Sequence, residues 1–244
     1  MSSSVGPRVA LVTGARRGIG AAVVATLAEA GLSVAAGVRT AAEVPGAELT
    51  VVGDVTISQD IERMVVEVTE QLGPIDVLVN NAGGFLRAST TLETNVEEWE
   101  EQLLLNLTAP FLVTRTVLPG MLERGWGRVV TVGSVVARHP ALGNAAAYVA
   151  AKAGVVGWTR QLALEIADSG VTANIVNPGT THTEHLNDYL EVSRTDPSEL
   201  TLDIPVGRLG TPAEIAAAVR YLVSEDAGYA TGISLDVNGG VVMA

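Results

Sequence analysis

A doubly wound α/β sheet of about seven parallel strands, helices on both faces, is the fold class this sequence predicts. Three observations predict it. Short runs rich in Val and Ile recur at 9–12, 34–38, 49–52, 75–79, 128–132, 171–176 and 233–237. They do not alternate with polar residues, so each is a strand buried on both faces, as parallel strands are. Longer stretches of helical character lie between them, at 18–30, 58–72, 96–121 and 145–167. Strand and helix in alternation build right-handed βαβ units.

Taken in chain order, residues 1–7 read as a frayed tail. The first strand runs into Thr13-Gly14-Ala15-Arg16-Arg17-Gly18-Ile19-Gly20, and an alanine-rich helix follows. The glycines allow a tight turn and a close approach of backbone to a pyrophosphate, and the helix start offers free N–H groups and a positive dipole end. Gly14, Arg16, Arg17, Gly18, Ile19 and Gly20 therefore form a candidate dinucleotide loop, the opening of a Rossmann-type sheet. The second strand ends at Val38-Arg39, the third leads to Asp54-Val55, and the fourth to Asn80-Asn81-Ala82-Gly83. Ligands of open α/β sheets bind at such carboxyl ends. The span 96–121, carrying Asn106, reads as one helix. Ser134 stands at the exit of the fifth strand, and Tyr148 and Lys152 lie four apart in the helix 145–167, on one face. Asn177-Pro178-Gly179 follows the sixth strand. Residues 183–205 are polar and interrupt the rhythm, so they are expected to form an insertion or substrate lid, mobile until substrate binds. With no repeat and no low-complexity linker, residues 1–244 read as a single catalytic domain.

The order and separation of these motifs resemble the short-chain dehydrogenase/reductase family over nearly the whole chain. Residues Ile204-Pro205-Val206-Gly207-Arg208 and Asp236-Val237-Asn238-Gly239-Gly240 are most similar to its 3-oxoacyl-(acyl-carrier-protein) reductase branch. The resemblance implies a catalytic group of Ser134, Tyr148, Lys152 and Asn106, with Asn106 holding a water that links Lys152 to solvent. It implies Asp54 at the adenine amino group, with the backbone of Val55 also at the base. Asn81, Ala82 and Gly83 line the cofactor, Pro178 and Gly179 shape the nicotinamide pocket, and Thr181 and Thr183 meet the carboxamide and pyrophosphate. Elementary chemistry supports the group: a nearby ammonium favours a phenolate and is expected to lower the pKa of Tyr148. The phenol can then exchange a proton with a carbonyl oxygen that Ser134 also binds.

The cofactor expected is NADP(H). A carboxylate about 20 residues beyond the glycine loop would hold the ribose of NAD, but that position is Val38, followed by Arg39. Arg39 and Arg17 are expected to bind the 2′-phosphate. The function expected is an NADPH-dependent ketoreductase, reversible to alcohol oxidation, acting on a small-molecule carbonyl or alcohol; the alternative is a non-catalytic NADP(H)-binding sensor or regulatory partner. The interval of 14 from Ser134 to Tyr148 is a residue longer than in many relatives, and Arg138 and His139 in it are expected to attract an anionic substrate group. Arginines that would meet an acidic carrier protein are replaced by Gly125 and Ser169, so a free substrate is expected.

The bulk numbers exclude other classes. A net charge of −12 repels nucleic acid. No uninterrupted apolar run approaches the roughly 18 residues of a membrane span, and no signal peptide is read, so the expected location is cytoplasmic. Cysteine is absent, and His182 and His185, three apart after Pro178-Gly179, read as loop residues rather than metal ligands. Apolar residues on the helices 96–121 and 145–167 exceed what one face against the sheet needs, which with the resemblance predicts a homotetramer.

Overall fold

The fold follows from the central strands Val9–Thr13, Ser33–Val38, Ile75–Asn80, Gly127–Val132 and Val171–Pro178, which are buried along nearly their whole length and therefore need helices on both faces. The computed structural model describes residues 6–139, 145–193 and 199–243. Strands β1 (Val9–Thr13), β2 (Ser33–Val38), β3 (Leu49–Val52), β4 (Ile75–Asn80), β5 (Gly127–Val132), β6 (Val171–Pro178) and β7 (Ser234–Val237) form one sheet. Its order is β3-β2-β1-β4-β5-β6-β7, with every pair parallel. This is the doubly wound arrangement the sequence predicts. All strands end on one edge, and the order reverses between β1 and β4, where such sheets bind their ligands.

Helices α1 (Gly18–Glu29) and α7 (Pro212–Val223) cover one face through Val23, Val24, Leu27, Ile215, Val219 and Leu222. The other face takes α2 (Ser58–Gln71), α4 (Ala109–Arg124) and α5 (Ala146–Glu165), through residues such as Met64, Val68, Val113, Met121 and Leu162. Each such buried side chain contributes about 2 kcal/mol. Local chemistry sets the helix ends. Thr211 and Glu214 form a reciprocal capping box before Pro212, and α4 stops at Gly125, which is left-handed at φ 65°.

One segment differs from the sequence expectation. The span 96–121 is not one regular helix: α3 (Val96–Leu103) passes through a π-turn at Leu104–Thr108 before α4 begins. The widened turn carries Asn106, a common device at functional sites. By length and hydropathy, 96–124 could cross a bilayer, but its Val113, Val117 and Met121 stripe lies on the sheet. The expected lid spans 183–205. Much of it is helical, as α6 (Glu184–Ser193) and a 3₁₀ turn at Glu199–Thr201, while 194–198 fall outside the described residues. The Thr183 hydroxyl caps α6 by accepting the Leu186 N–H at 3.2 Å. A threonine opening a run with Leu186 and Leu190 on one face was a readable cap signal.

The last strand depends on a buried side chain of β6. Asn174, 0% exposed, donates from Nδ2 to Ala230 O at 2.7 Å and accepts the Ile233 N–H at 3.2 Å. Asn174→Ala leaves both backbone groups unpaired in a dry site. The expected loss is about 2–4 kcal/mol, read as a lower urea midpoint; an unchanged midpoint would show that β7 is held by its ladder alone.

Candidate active site

The site is built at the reversal between β1 and β4. Thr13 ends β1, and its Oγ1 accepts the N–H groups of Asn81 and Ala82, each at 3.1 Å. The Asn81 amide returns the tie, donating to Thr13 O and Gly14 O at 3.0 Å each. Two glycines are required by this closeness. A Cβ on Gly20 would lie 2.3 Å from Gly14 O, and one on Gly14 would lie 2.7 Å from the Cα of Ala82, at φ +65°. Gly18 is likewise left-handed, at φ 58°. The result is a backbone cradle at the start of α1, with Ile19 packed on the α1–α7 core. No acidic residue occupies the first turn of α1, although the Glu184 carboxylate of α6 stands 3.6 Å from where a Gly18 Cβ would be. This cradle fits the pyrophosphate of a dinucleotide.

The cationic residues divide. Arg39 is exposed at the end of β2, directly after the buried Val38, and no hydrogen bond holds it among the described residues. Arg16 reaches the same end of the sheet, its guanidinium 3.2 Å from Thr40 Oγ1. Arg17 turns the other way, pairing with Asp188 of α6 at 2.9 Å. At the end of β3, Asp54 Oδ1 accepts both the N–H and the hydroxyl of Thr56, at 2.9 and 2.6 Å. That oxygen serves a turn, while the buried Val55 backs it. On the far side, Gly179 packs so tightly that a Cβ would stand 2.7 Å from the Cα of Asn238, and Pro178 is paired with Val237 in the sheet. Thr181 bridges to Gly210, and Thr183 stands over the glycine loop, 3.3 Å from where a Gly18 Cβ would be.

Tyr148 and Lys152 sit one turn apart on α5, as their spacing predicts. Lys152 is 5% exposed. Its Nζ donates to Val132 O at 2.9 Å and lies 5.8 Å from the centroid of the Tyr148 ring. Ser134, 9% exposed, accepts the Val136 N–H at 3.3 Å, and its hydroxyl is in hydrogen-bond contact with the Tyr148 phenol. Asn106, fully buried in the π-turn, grips Gly84 from both sides: Oδ1 accepts Gly84 N–H at 2.9 Å and Nδ2 donates to Gly84 O at 3.0 Å. Gly83 threads between Asn106 and Lys152; a Cβ there would meet Asn106 Oδ1 at 2.8 Å and Lys152 Nζ at 3.6 Å. All four residues therefore converge on one edge.

The electrostatics correct one expectation. Burial pushes the Tyr148 phenol above its ordinary value, against a smaller opposing pull from the Ser134 hydroxyl. Lys152 is desolvated as well and falls to about 8. No carboxylate pairs with Lys152 among the described residues. Tyr148 thus remains a proton-bearing donor through the neutral range. A second correction concerns Arg138. Its guanidinium is bound to Asp236 of β7 at 2.8 Å, so its charge is already neutralised, and Asp236 also accepts from Asn177 at 2.9 Å. His139 is exposed, and 140–144 fall outside the described residues. His185 belongs to α6 and stands 3.7 Å from where a Gly84 Cβ would be, not in a loop.

Two residues at the site have no counterpart in the sequence expectation. Phe85 meets the Tyr148 ring edge-on, centroids 5.8 Å apart. Gln102, 4% exposed, holds the backbone on either side of it. A buried glutamine in an otherwise apolar helical stripe was the available signal.

The chain is similar to known proteins over nearly its whole length. The family model described as enoyl-(acyl carrier protein) reductase matches residues 14–242. The 3-oxoacyl-(acyl-carrier-protein) reductase of Vibrio cholerae is 42% identical, over 97% of this chain and 98% of its own. The acetoacetyl-CoA reductase of Allochromatium vinosum is 41% identical, over 97% and 99%. Among solved structures, an actinorhodin polyketide ketoreductase with NADPH matches at TM-score 0.89 and 37% identity, over 96% and 97%. Levodione reductase matches at 0.90 and 33%, over 96% and 97%. The chain belongs to the short-chain dehydrogenase/reductase family. It is an oxidoreductase of carbonyl and hydroxyl groups, similar to the ketoreductases of that family.

The Lys152 shift sets two pH dependences. With the lysine near 8 when folded and at its ordinary 10.5 when unfolded, the unfolded chain binds more protons between those values. Its contribution to stability therefore rises with pH across that window. In catalysis the ammonium is the useful form, so kcat/KM for carbonyl reduction is expected to fall above pH about 8. A profile flat to pH 10 would remove the role of Lys152, and Lys152→Met should flatten the stability window.

Proposed function

We propose that this protein is an NADPH-dependent ketoreductase that delivers hydride to a carbonyl carbon, with Tyr148 as the proton donor, and runs in reverse on alcohols. The observation that carries the reading is the buried Lys152 one turn from Tyr148, with Ser134 beside them, next to the glycine cradle. The bound nicotinamide supplies the hydride. The chain does the rest. Ser134 turns its hydroxyl proton from Tyr148 to the carbonyl oxygen and fixes its position. Tyr148 gives its proton to that oxygen as negative charge develops, and the Lys152 ammonium stabilises the phenolate left behind. Asn106 is assigned to the water that reconnects Lys152 with solvent; its side chain is committed to Gly84, so the widened π-turn backbone is the part left to hold that water.

Coenzyme choice rests on the end of β2. Val38 offers no carboxylate to a ribose and none to repel a phosphate. Arg39 is the principal ligand of the 2′-phosphate in this reading. Arg17 joins it on leaving Asp188, and Arg16 is held on the same side. Asp54, Val55, Asn81, Ala82, Gly83, Pro178, Gly179, Thr181 and Thr183 complete the cofactor's surroundings.

The substrate is assigned as a free carbonyl compound. Gly125 and Ser169, which replace the carrier-docking arginines, are neighbours, and the adjacent Arg124 is spent on Ile75 O, at 2.6 Å, and on Asp76. A panel of ketones and an acyl-carrier thioester, followed by NADPH oxidation at 340 nm, tests both statements. Turnover of free ketones is expected to exceed that of the thioester, and no oxidation with any member would defeat the function. Two charge-assisted contacts to one phosphate predict an NADPH preference of on the order of a hundredfold in kcat/KM. Val38→Asp with Arg39→Ala should reverse it; equal use of NADH by the parent would overturn the assignment.

We assign the working form to a cytoplasmic homotetramer. Trp99, Leu104 and Phe111 on the α3–α4 side and Leu164 on α5 are exposed, with Phe111 edge-on to Trp158 at 6.1 Å. These apolar groups are better placed between copies than in water. Light scattering is expected to give about four times 25.2 kDa; a monomer mass at micromolar protein would sink the assignment.

A further inference from the structure

Beside Tyr148 the chain carries a second, wholly satisfied polar device. Gln102 lies near the end of α3, one turn ahead of Asn106, and is 4% exposed. Its Nε2 donates to Gly84 O at 2.7 Å, and its Oε1 accepts Leu86 N–H at 3.2 Å. Asn106 holds the N–H and the same carbonyl of Gly84. Gly84 and Leu86 are thereby pinned, and Phe85 is fixed between them. Its ring stands 5.8 Å from that of Tyr148 at an interplanar angle of 63°. Only an amide can do what Gln102 does here. A carboxylate has no donor for Gly84 O, and an apolar residue would leave both backbone groups unpaired. A buried amide is costly unless both ends are bonded, and both are.

We propose that Gln102 is a positioning residue for substrate choice: it fixes Phe85 as the apolar wall beside Tyr148, and so favours carbonyl compounds with a flat apolar substituent. The inference rests on the ketoreductase reading. A carbonyl oxygen within hydrogen-bond reach of the Tyr148 hydroxyl brings one of its substituents to the neighbouring ring. With the backbone pinned on both sides, that ring is in place before the substrate arrives, and the cost of ordering it is not met at binding. Selectivity then follows the position of Phe85, while the proton transfer follows Ser134, Tyr148 and Lys152.

The test compares acetophenone with 2-butanone, both reduced with NADPH. Gln102→Leu should raise KM for acetophenone about tenfold and lower the acetophenone-to-butanone ratio of kcat/KM by a similar factor. The kcat values and the Kd for NADPH, from fluorescence titration, should stay within about threefold. Phe85→Ala should give the same loss, and the double variant no further loss, since both act on one wall. Gln102→Glu is the second variant, expected to act in the same direction. A purely structural role would lower kcat with both ketones alike and add to the loss from Phe85→Ala; either result overturns the proposal. If neither glutamine variant folds, an unmoved ratio in Phe85→Ala overturns it too. Failure of the parent to oxidise NADPH with any ketone would defeat the ketoreductase reading and the proposal with it. An active parent whose ratio no variant moves would defeat the proposal alone.

Discussion

The molecule depends on the tie between Thr13 and Asn81 across the β1–β4 boundary. One hydroxyl takes two backbone N–H groups of the second strand, and one amide takes two carbonyls of the first. These bonds draw two chain turns together so closely that Gly14 and Gly20 cannot carry a side chain. A binding cradle made of backbone results, rigid without any ligand, at the one place where the sheet order diverges. Ser134 follows β5 on the same edge, and α5 and the π-turn bring Tyr148, Lys152 and Asn106 to it.

Around that edge the buried polar groups form connected sets rather than isolated ones. Asn106 and Gln102 hold Gly84 from the widened turn between α3 and α4. Asn177, Asp236 and Arg138 link β6, β7 and the turn after Ser134. The first set fixes what faces Tyr148. A satisfied set of this kind favours one arrangement over near alternatives, because any slip leaves a polar atom unpaired in a medium of low dielectric.

Burial sets the charge state of two neighbouring groups on α5. An acidic chain has left Lys152 without a carboxylate partner among the described residues. Burial therefore moves Lys152 down toward 8 instead of an ion pair moving it up. The same burial keeps Tyr148 protonated. A phenol poised to donate, with an ammonium nearby that gains most once the phenolate forms, is complementary to the transition state more than to the ground state.

Much of this was legible in the residue order. Doubly apolar strand runs set seven parallel strands, the glycine spacing marked the cradle, and Tyr148-x-x-x-Lys152 put two groups on one helical face, because periods of two and 3.6 are local properties. The helix at Glu184–Ser193 could also have been read, from its threonine cap. What the order of residues could not decide depended on distant partners. Arg17 faces Asp188 and Arg138 faces Asp236, 171 and 98 positions away, and a cation's role changes once an anion is beside it. The sign of the Tyr148 shift was decided by desolvation, which exists only after packing. The π-turn under Asn106, and the clamp of Gln102 on either side of Phe85, likewise arise where α3 meets the chain leaving β4. Local propensity names the groups present; only the packed structure settles which of them are dry, which are paired, and which remain free to act.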